Sequence, residues 1–413
     1  MSLNSISNLG LLARRICGAG ISLLLAVGTV GNVWADEASS LQLKGFGTLA
    51  ATYTGESGTE FVRDLGQPSG VEDGVSFGVD SRLGLQLNWT ATSQTEAVVQ
   101  AVAQKREDGS FTPELTWAYL RHEFSPELEM RVGRLGTEFF MLADSRDVGY
   151  SYLTVRPSVD YYGTLVFSHV DGIDATFTHP LGNGLVKAKL GAGISPEEAP
   201  IIPGVTWDLA GTLIAGGYVD FLQGPWQMRF SHVGMRFANE MPWDTMHTTL
   251  GILAPPNFAS VVPEMSLKGE WAKYSSVGLA YDDGPLALQL QLNRIDHTGA
   301  AYESSKAAYL QASYRLGSVT PYVGYGRVFS NNTPITGYGP LDPLIALHQS
   351  QSHTDQYTYT LGARWDFRPG MALKAQIDHI EGDPSSIYLF RGSIPKVWDG
   401  DMTVFSLALD FVF

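Results

Sequence analysis

From Leu286 to Asn293 the chain reads LALQLQLN, with every second position a leucine. In an extended backbone successive side chains point to opposite sides, so Leu286, Leu288, Leu290 and Leu292 share one face while Gln289, Gln291 and Asn293 share the other. The same period sets Tyr357, Tyr359, Leu361, Ala363, Trp365 and Phe367 against Thr358, Thr360, Arg364 and Asp366. It recurs at Leu83, Leu85, Leu87 and Trp89 against Arg82, Gln86 and Asn88. It also ends the chain, where Phe405, Leu407, Leu409, Phe411 and Phe413 oppose Val404, Ser406, Ala408, Asp410 and Val412. A last strand with a wholly apolar face leaves a sticky edge unless the sheet closes on itself.

Reading this period along the chain predicts sixteen strands. The first five lie at 41–54, 75–90, 94–106, 113–124 and around Leu128, Met130 and Val132; the sixth lies at 169–180 and turns at Gly182-Asn183-Gly184. Asn-Gly is a strong hairpin signal. Further pairs meet at Gly224-Pro225, Asp283-Gly284, Gly317-Ser318 and Pro369-Gly370. Every connection after an even-numbered strand is short, whereas most others are long: 55–73, 137–168, 240–266, 332–354 and 384–399. A soluble sandwich has no reason to alternate in this way; a transmembrane antiparallel β-barrel does, with tight turns at one rim and long loops at the other. Trp89, Phe124, Trp226, Tyr281, Phe367 and Phe413 fall near the tight-turn ends, where aromatic rings suit the level of lipid headgroups.

An apolar strand closing the chain on Phe413, the even strand count and the alternating loops together resemble the sixteen-stranded general porins of Gram-negative outer membranes. The resemblance implies that Phe413 is an assembly signal read by the barrel-assembly machinery. It also implies that the third long connection, 137–168, folds inward and narrows a water-filled lumen too wide for side chains to fill. That family's Pro-Glu-Phe-Gly motif is missing here, with Glu138-Phe139-Phe140 in its place. The second loop, 107–112, is too short for the family's usual latch onto a neighbouring subunit. The expectation of a homotrimer then rests on the small outward side chains Ala97, Val99, Ala101 and Ala103. In such porins loop acids oppose wall bases. The matching pore-lining candidates are Glu138, Asp144, Asp147 and Asp160 with Arg146 and Arg156 on the loop, and Lys44, Arg82, Arg131, Arg315, Arg364 and Lys374 facing inward by parity.

The N-terminus adds an address. Arg14 and Arg15 precede a charge-free run from Gly18 to Val33, and Val33-Trp34-Ala35 ends in a small residue, so residues 1–35 read as a secretory signal peptide and 36–413 as the barrel. The one cysteine, Cys17, leaves with the signal, which excludes disulfides, thiolate metal sites and thiol nucleophiles from the mature chain. Losing two arginines and no acid takes the formal charge from −15 to −17, which argues against nucleic acid as a partner. Outer-membrane lipid, lipopolysaccharide and small hydrophilic solutes are the partners expected.

No constellation for catalysis, cofactor or metal emerges. Ser231 and His232 are adjacent and point to opposite faces; His122, His169, His179, His297 and His379 lie on separate predicted strands. The reading is therefore a non-enzymatic outer-membrane porin passing ions and small solutes by diffusion, with weak charge selectivity. A substrate-specific channel for a small, possibly anionic, solute and a barrel adhesin or scaffold are the alternatives. Acids on the predicted outer loops (Glu56, Glu60, Asp64, Glu72, Asp73, Glu197 and Glu198) and on 137–168 favour cations, against the wall bases.

Overall fold

In the computed structural model, residues 35–36, 39–105, 109–163, 166–202, 204–242, 262–384, 386, 390–391 and 398–413 are described. Of the proposed signal segment, residues 1–35, all but Ala35 lie outside them.

Sixteen strands run antiparallel around one ring. The first eight are β1 Ser39–Thr54, β2 Arg82–Thr92, β3 Thr95–Gln104, β4 Glu114–Ser125, β5 Leu128–Gly136, β6 His169–Leu181, β7 Gly184–Ile194 and β8 Leu213–Gln223. The others are β9 Trp226–Arg236, β10 Trp271–Asp283, β11 Leu286–His297, β12 Ser304–Tyr314, β13 Val319–Asn331, β14 Asp355–Arg368, β15 Met371–Gly382 and β16 Asp401–Val412. Each pairs with its sequence neighbours, and β16 returns to β1 in a register running from Phe46↔Val412 to Thr54↔Val404. Closure leaves no edge, so wall amides can pair from strand to strand around the ring without water, the condition for crossing hydrocarbon.

Side-chain parity sorts the wall. Leu49, Leu87, Val132, Leu190, Phe230, Val277, Leu292, Leu310, Leu361 and Leu407 stand exposed on the outside. At the tight-turn rim Trp89, Phe124, Trp226, Phe367 and Phe413 are exposed too, and Trp226 packs against Tyr281 at 4.7 Å between centroids. The turns there are two residues long at Ser93-Gln94, Pro126-Glu127, Gly182-Asn183, Gly224-Pro225, Gly284-Pro285 and Pro369-Gly370. Gly182, Gly224, Gly284 and Gly370 all have positive φ, the conformation these tight turns demand and glycine adopts without strain.

One predicted boundary moves. The stretch expected as a single strand over 75–90 is broken: Gly74–Ser76 pairs with the end of β1, residues 77–81 leave the ladder, and β2 starts only at Arg82. Ser81 fills part of the gap, because its Oγ accepts the Ala50 N–H at 2.9 Å. This excursion carries Asp80 to the inner side, where Thr52 donates to it at 2.8 Å.

The interior also departs from a simple polar lumen. Toward the long-loop rim the inward positions are apolar: Ile214, Val233, Met235, Ala272, Tyr274, Ile295, Val328, Ile380 and Val404 are buried in one cluster. They are covered by Phe61 and Val71 from the first loop, Phe139 and Phe167 from the third, Trp207, Phe237 and Leu267 from the next two, and Ile345 and Trp398 from the last two. Several loops, not only 137–168, thus pack over the inner face of the wall.

Candidate functional site

The segment 137–168 has little regular structure: two 3-10 turns, at Ala143–Ser145 and Gly149–Ser151, and one short helix, α1, Val159–Tyr162. A chain with so few internal hydrogen bonds needs other partners, and it finds them on the inward-facing rows of the wall.

The strongest hold is at Arg156, which is 2% exposed. Its Nε donates to Asp80 Oδ1 at 3.0 Å and its Nη2 to Asp80 Oδ2 at 2.7 Å, a bidentate pair. Its Nη1 donates to Asp378 of β15 at 2.6 Å, and Nη2 also reaches the Ser406 hydroxyl of β16. The guanidinium lies 5.1 Å from the centre of the Phe61 ring. Burial works to raise the Asp80 carboxyl, but Arg156 outweighs it and holds the group below its ordinary range. Next to this clamp, Val155 N–H donates to Gln376 at 2.8 Å, and buried Lys374 donates to the carbonyls of Gly149 and Thr154 at 2.8 and 2.9 Å while pairing with Asp410 at 2.8 Å. Arg364 donates to the carbonyls of Tyr150 and Tyr152 at 2.7 and 2.8 Å.

At the other end Glu138 is gripped by cations. Arg131 of β5 donates to its Oε1 at 2.7 Å, Lys189 of β7 to its Oε2 at 2.8 Å, and Tyr218 of β8 to Oε2 at 3.2 Å. Burial would raise this carboxyl, yet Lys189 and Arg131 hold it down to about 2. Arg131 and Lys189 share a second acid, Asp174 of β6, at 3.0 and 3.8 Å. Further along, Arg229 of β9 pairs with Asp220 and donates to the Phe140 carbonyl at 2.7 Å.

Asp160 in α1 is buried and forms no ion pair among the described residues. Gln356 of β14 donates to its Oδ1 at 2.7 Å, its Oδ2 has no hydrogen-bond partner, and Gly326 of β13 leaves the space it fills. Burial and the neighbouring Asp378 push its pKa up to about 6.

Between the two holds, Asp144 is exposed and Asp147 half-buried, its nearest cation being Arg82 at 3.8 Å. Arg146 donates to the Phe167 carbonyl at 3.0 Å. Arg146 and Asp147 help line a polar cavity of about 1050 Å³ at the long-loop side, beside β3 and β4, with Arg63, Lys105, Glu114 and Glu197. A second cavity of about 350 Å³, toward the tight turns, is lined by Met141 and Leu153 of the segment and by Gln289, Arg315, Arg364 and Asp366 of the wall.

No protein-family model matches the chain, and no curated protein matches it in sequence. Solved structures do. OmpT, an outer membrane protein of Vibrio cholerae, superposes with a TM-score of 0.57 at 14% identity over 93% of this chain and 100% of that one. An anion-selective porin from Comamonas acidovorans gives 0.55 at 14% identity, covering 91% of this chain and 100% of its own. The outer membrane channel DcaP of Acinetobacter baumannii gives 0.51 at 12%, covering 93% and 100%. The fold is that of the outer-membrane porins.

Within this porin fold the candidate residues separate. Arg82, Arg131, Arg364 and Lys374 face inward and meet the segment 137–168. Lys44 is exposed on β1 near the tight-turn rim, and Arg315 pairs with Asp282 at that rim, at 2.6 Å. Arg156, Asp160 and Lys374 are too deeply buried to meet a passing solute in this structure. Asp80 and Arg229 escaped the sequence reading. Asp80 sits inside what reads as a strand, and only the pair Gly74 and Gly78 hints at the break. Ser231 is buried inside, and His232 is outside, hydrogen-bonded to Ser275 at 2.9 Å.

Proposed function

We propose that the chain is an outer-membrane porin, exported by a signal peptide removed after Ala35, through which ions and small hydrophilic solutes diffuse. One observation carries this reading: a closed ring, apolar outside and with charged side chains on its inner face, holds a polar cavity on one side of a clamped inner segment and a mixed one on the other. The segment 137–168 acts as the constriction. Its acids, exposed Asp144 and half-buried Asp147, give a weak preference for cations, because a charge at the narrowest point acts across little water. This reading assigns no catalysis, since Ser231 and His232 lie on opposite faces of the wall. Lipid and lipopolysaccharide surround the barrel, the assembly machinery reads Phe413, and the small outward residues of β3 suit a homotrimer, the form in which one OmpT structure is described.

A substrate-specific channel is the second reading. It is favoured by the apolar loop residues packed over the long-loop half of the interior, which concentrate polar space beside β3 and β4. Stepwise single-channel currents in a planar bilayer test both. Uniform ohmic steps support the diffusion porin; steps blocked by one solute class support the specific channel. A barrel that inserts without any conductance contradicts both.

A further inference from the structure

A cavity of about 80 Å³ lies apart from the clamps, where the loop cluster meets the long-loop ends of β9 to β12. Aromatic rings line it in sequence. Trp207 and Phe237 lie 4.9 Å apart, Phe237 and His297 are parallel at 6.3 Å, and His297 and Tyr302 are 4.9 Å apart. The carboxylate of Glu303, itself 5% exposed, also lines the cavity. Ser330 and His353 both bond its Oε2, and no lysine or arginine pairs with it among the described residues. Two buried atoms on the same lining that can accept a hydrogen bond, His297 Nδ1 and Thr354 Oγ1, have no partner among the described residues.

Each feature is costly when the cavity is empty. A buried carboxylate without a permanent counter-charge is destabilising, and so is every orphaned polar atom. Ring faces attract cations, most strongly where water is excluded. An apolar cavity of roughly 150 Å³ takes benzene, so about 80 Å³ suits about three heavy atoms. We propose that this cavity binds a small organic ammonium ion, its charge facing Glu303 and the rings of Trp207, Phe237 and Tyr302, with His297 Nδ1 and Thr354 Oγ1 as acceptors for N–H. The site deepens the channel reading and depends on it only for its use in transport, since binding requires no conduction.

The test compares two probes of nearly equal shape, ethylammonium chloride and ethanol, titrated calorimetrically at pH 7 into the detergent-solubilised full-length barrel. Ethylammonium should bind at least tenfold more tightly than ethanol, and Glu303→Gln should remove most of that difference. Equal affinity for the two probes overturns the proposal, and so does binding of neither, which would make the cavity a pocket for water. Should Glu303→Gln not fold, the comparison on the unaltered protein still decides. Conductance recorded on the same preparation separates failure of this site from failure of the channel reading.

Discussion

The two ends of the segment 137–168 are held by opposite arrangements of charge. At Arg156 one guanidinium on the loop serves two carboxylates of the surrounding structure, Asp80 and Asp378; at Glu138 one carboxylate on the loop serves two wall cations, Arg131 and Lys189. The difference lies in what remains after a loss. Without Glu138, Arg131 and Lys189 still have Asp174. Without Arg156, Asp80 and Asp378 face each other's charge in a buried site with no other cation paired to them among the described residues. The charges that fix the segment are therefore withdrawn from solvent. The stretch between them, around Asp144 and Asp147, is left to meet it.

This contrast predicts unequal damage. Arg156→Ala should cost about 3–5 kcal/mol, the scale for stranding buried charges, read as a lower urea midpoint for unfolding from lipid vesicles. Arg156→Lys should recover only part, since an ammonium cannot reproduce the bidentate pair. A loss below about 1 kcal/mol would show that the clamp is not the dominant hold.

Glu138→Gln should cost less, about 2 kcal/mol, because its partners keep Asp174. The pH dependence has a definite sign. Glu138 is held down to about 2 from 4.5, so its contribution is present above pH 4.5 and disappears as pH falls through 2. Stability of the unaltered barrel should therefore drop more steeply over that window than stability of Glu138→Gln. Parallel curves would contradict the assignment.

Asp160 should behave in the opposite sense. Its pKa is raised from 3.8 to about 6, so its contribution is present below pH 3.8 and is lost as pH rises through 6. Asp160→Asn should gain about 3 kcal/mol over the unaltered protein at pH 8 and nothing at pH 3.5, as measured by the same unfolding midpoints. An unchanged difference between the two pH values would mean that the carboxyl is better solvated than its burial implies.

Much of the architecture was legible in alternation. Leu286 to Leu292 and Phe405 to Leu409 name their lipid face, because a strand in hydrocarbon tolerates no polar group on that side, and the tight turns are written in Gly182-Asn183 and Pro369-Gly370. Two things were hidden. Parity separates inside from outside but cannot say that the inner face is apolar near the loops, as at Ile214, Val233 and Ile295, since that depends on which loops cover it. Nor could it distinguish bases that hold the segment, such as Lys374 and Arg364, from bases open to solute. Their partners are backbone carbonyls some two hundred residues away.

The most direct test of the central claim, that the held ends fix the segment while the free middle sorts ions, is the reversal potential of the Asp144→Asn, Asp147→Asn double variant under a salt gradient. Asp144 is exposed and contributes little, so the variant's unfolding midpoint should fall only slightly, through loss of the 3.8 Å pair between half-buried Asp147 and Arg82. The reversal potential should move toward anion selectivity, most at low ionic strength, where screening is weakest. An unchanged potential and conductance in a correctly folded double variant would contradict the account, because the middle of the segment would then not lie at the constriction.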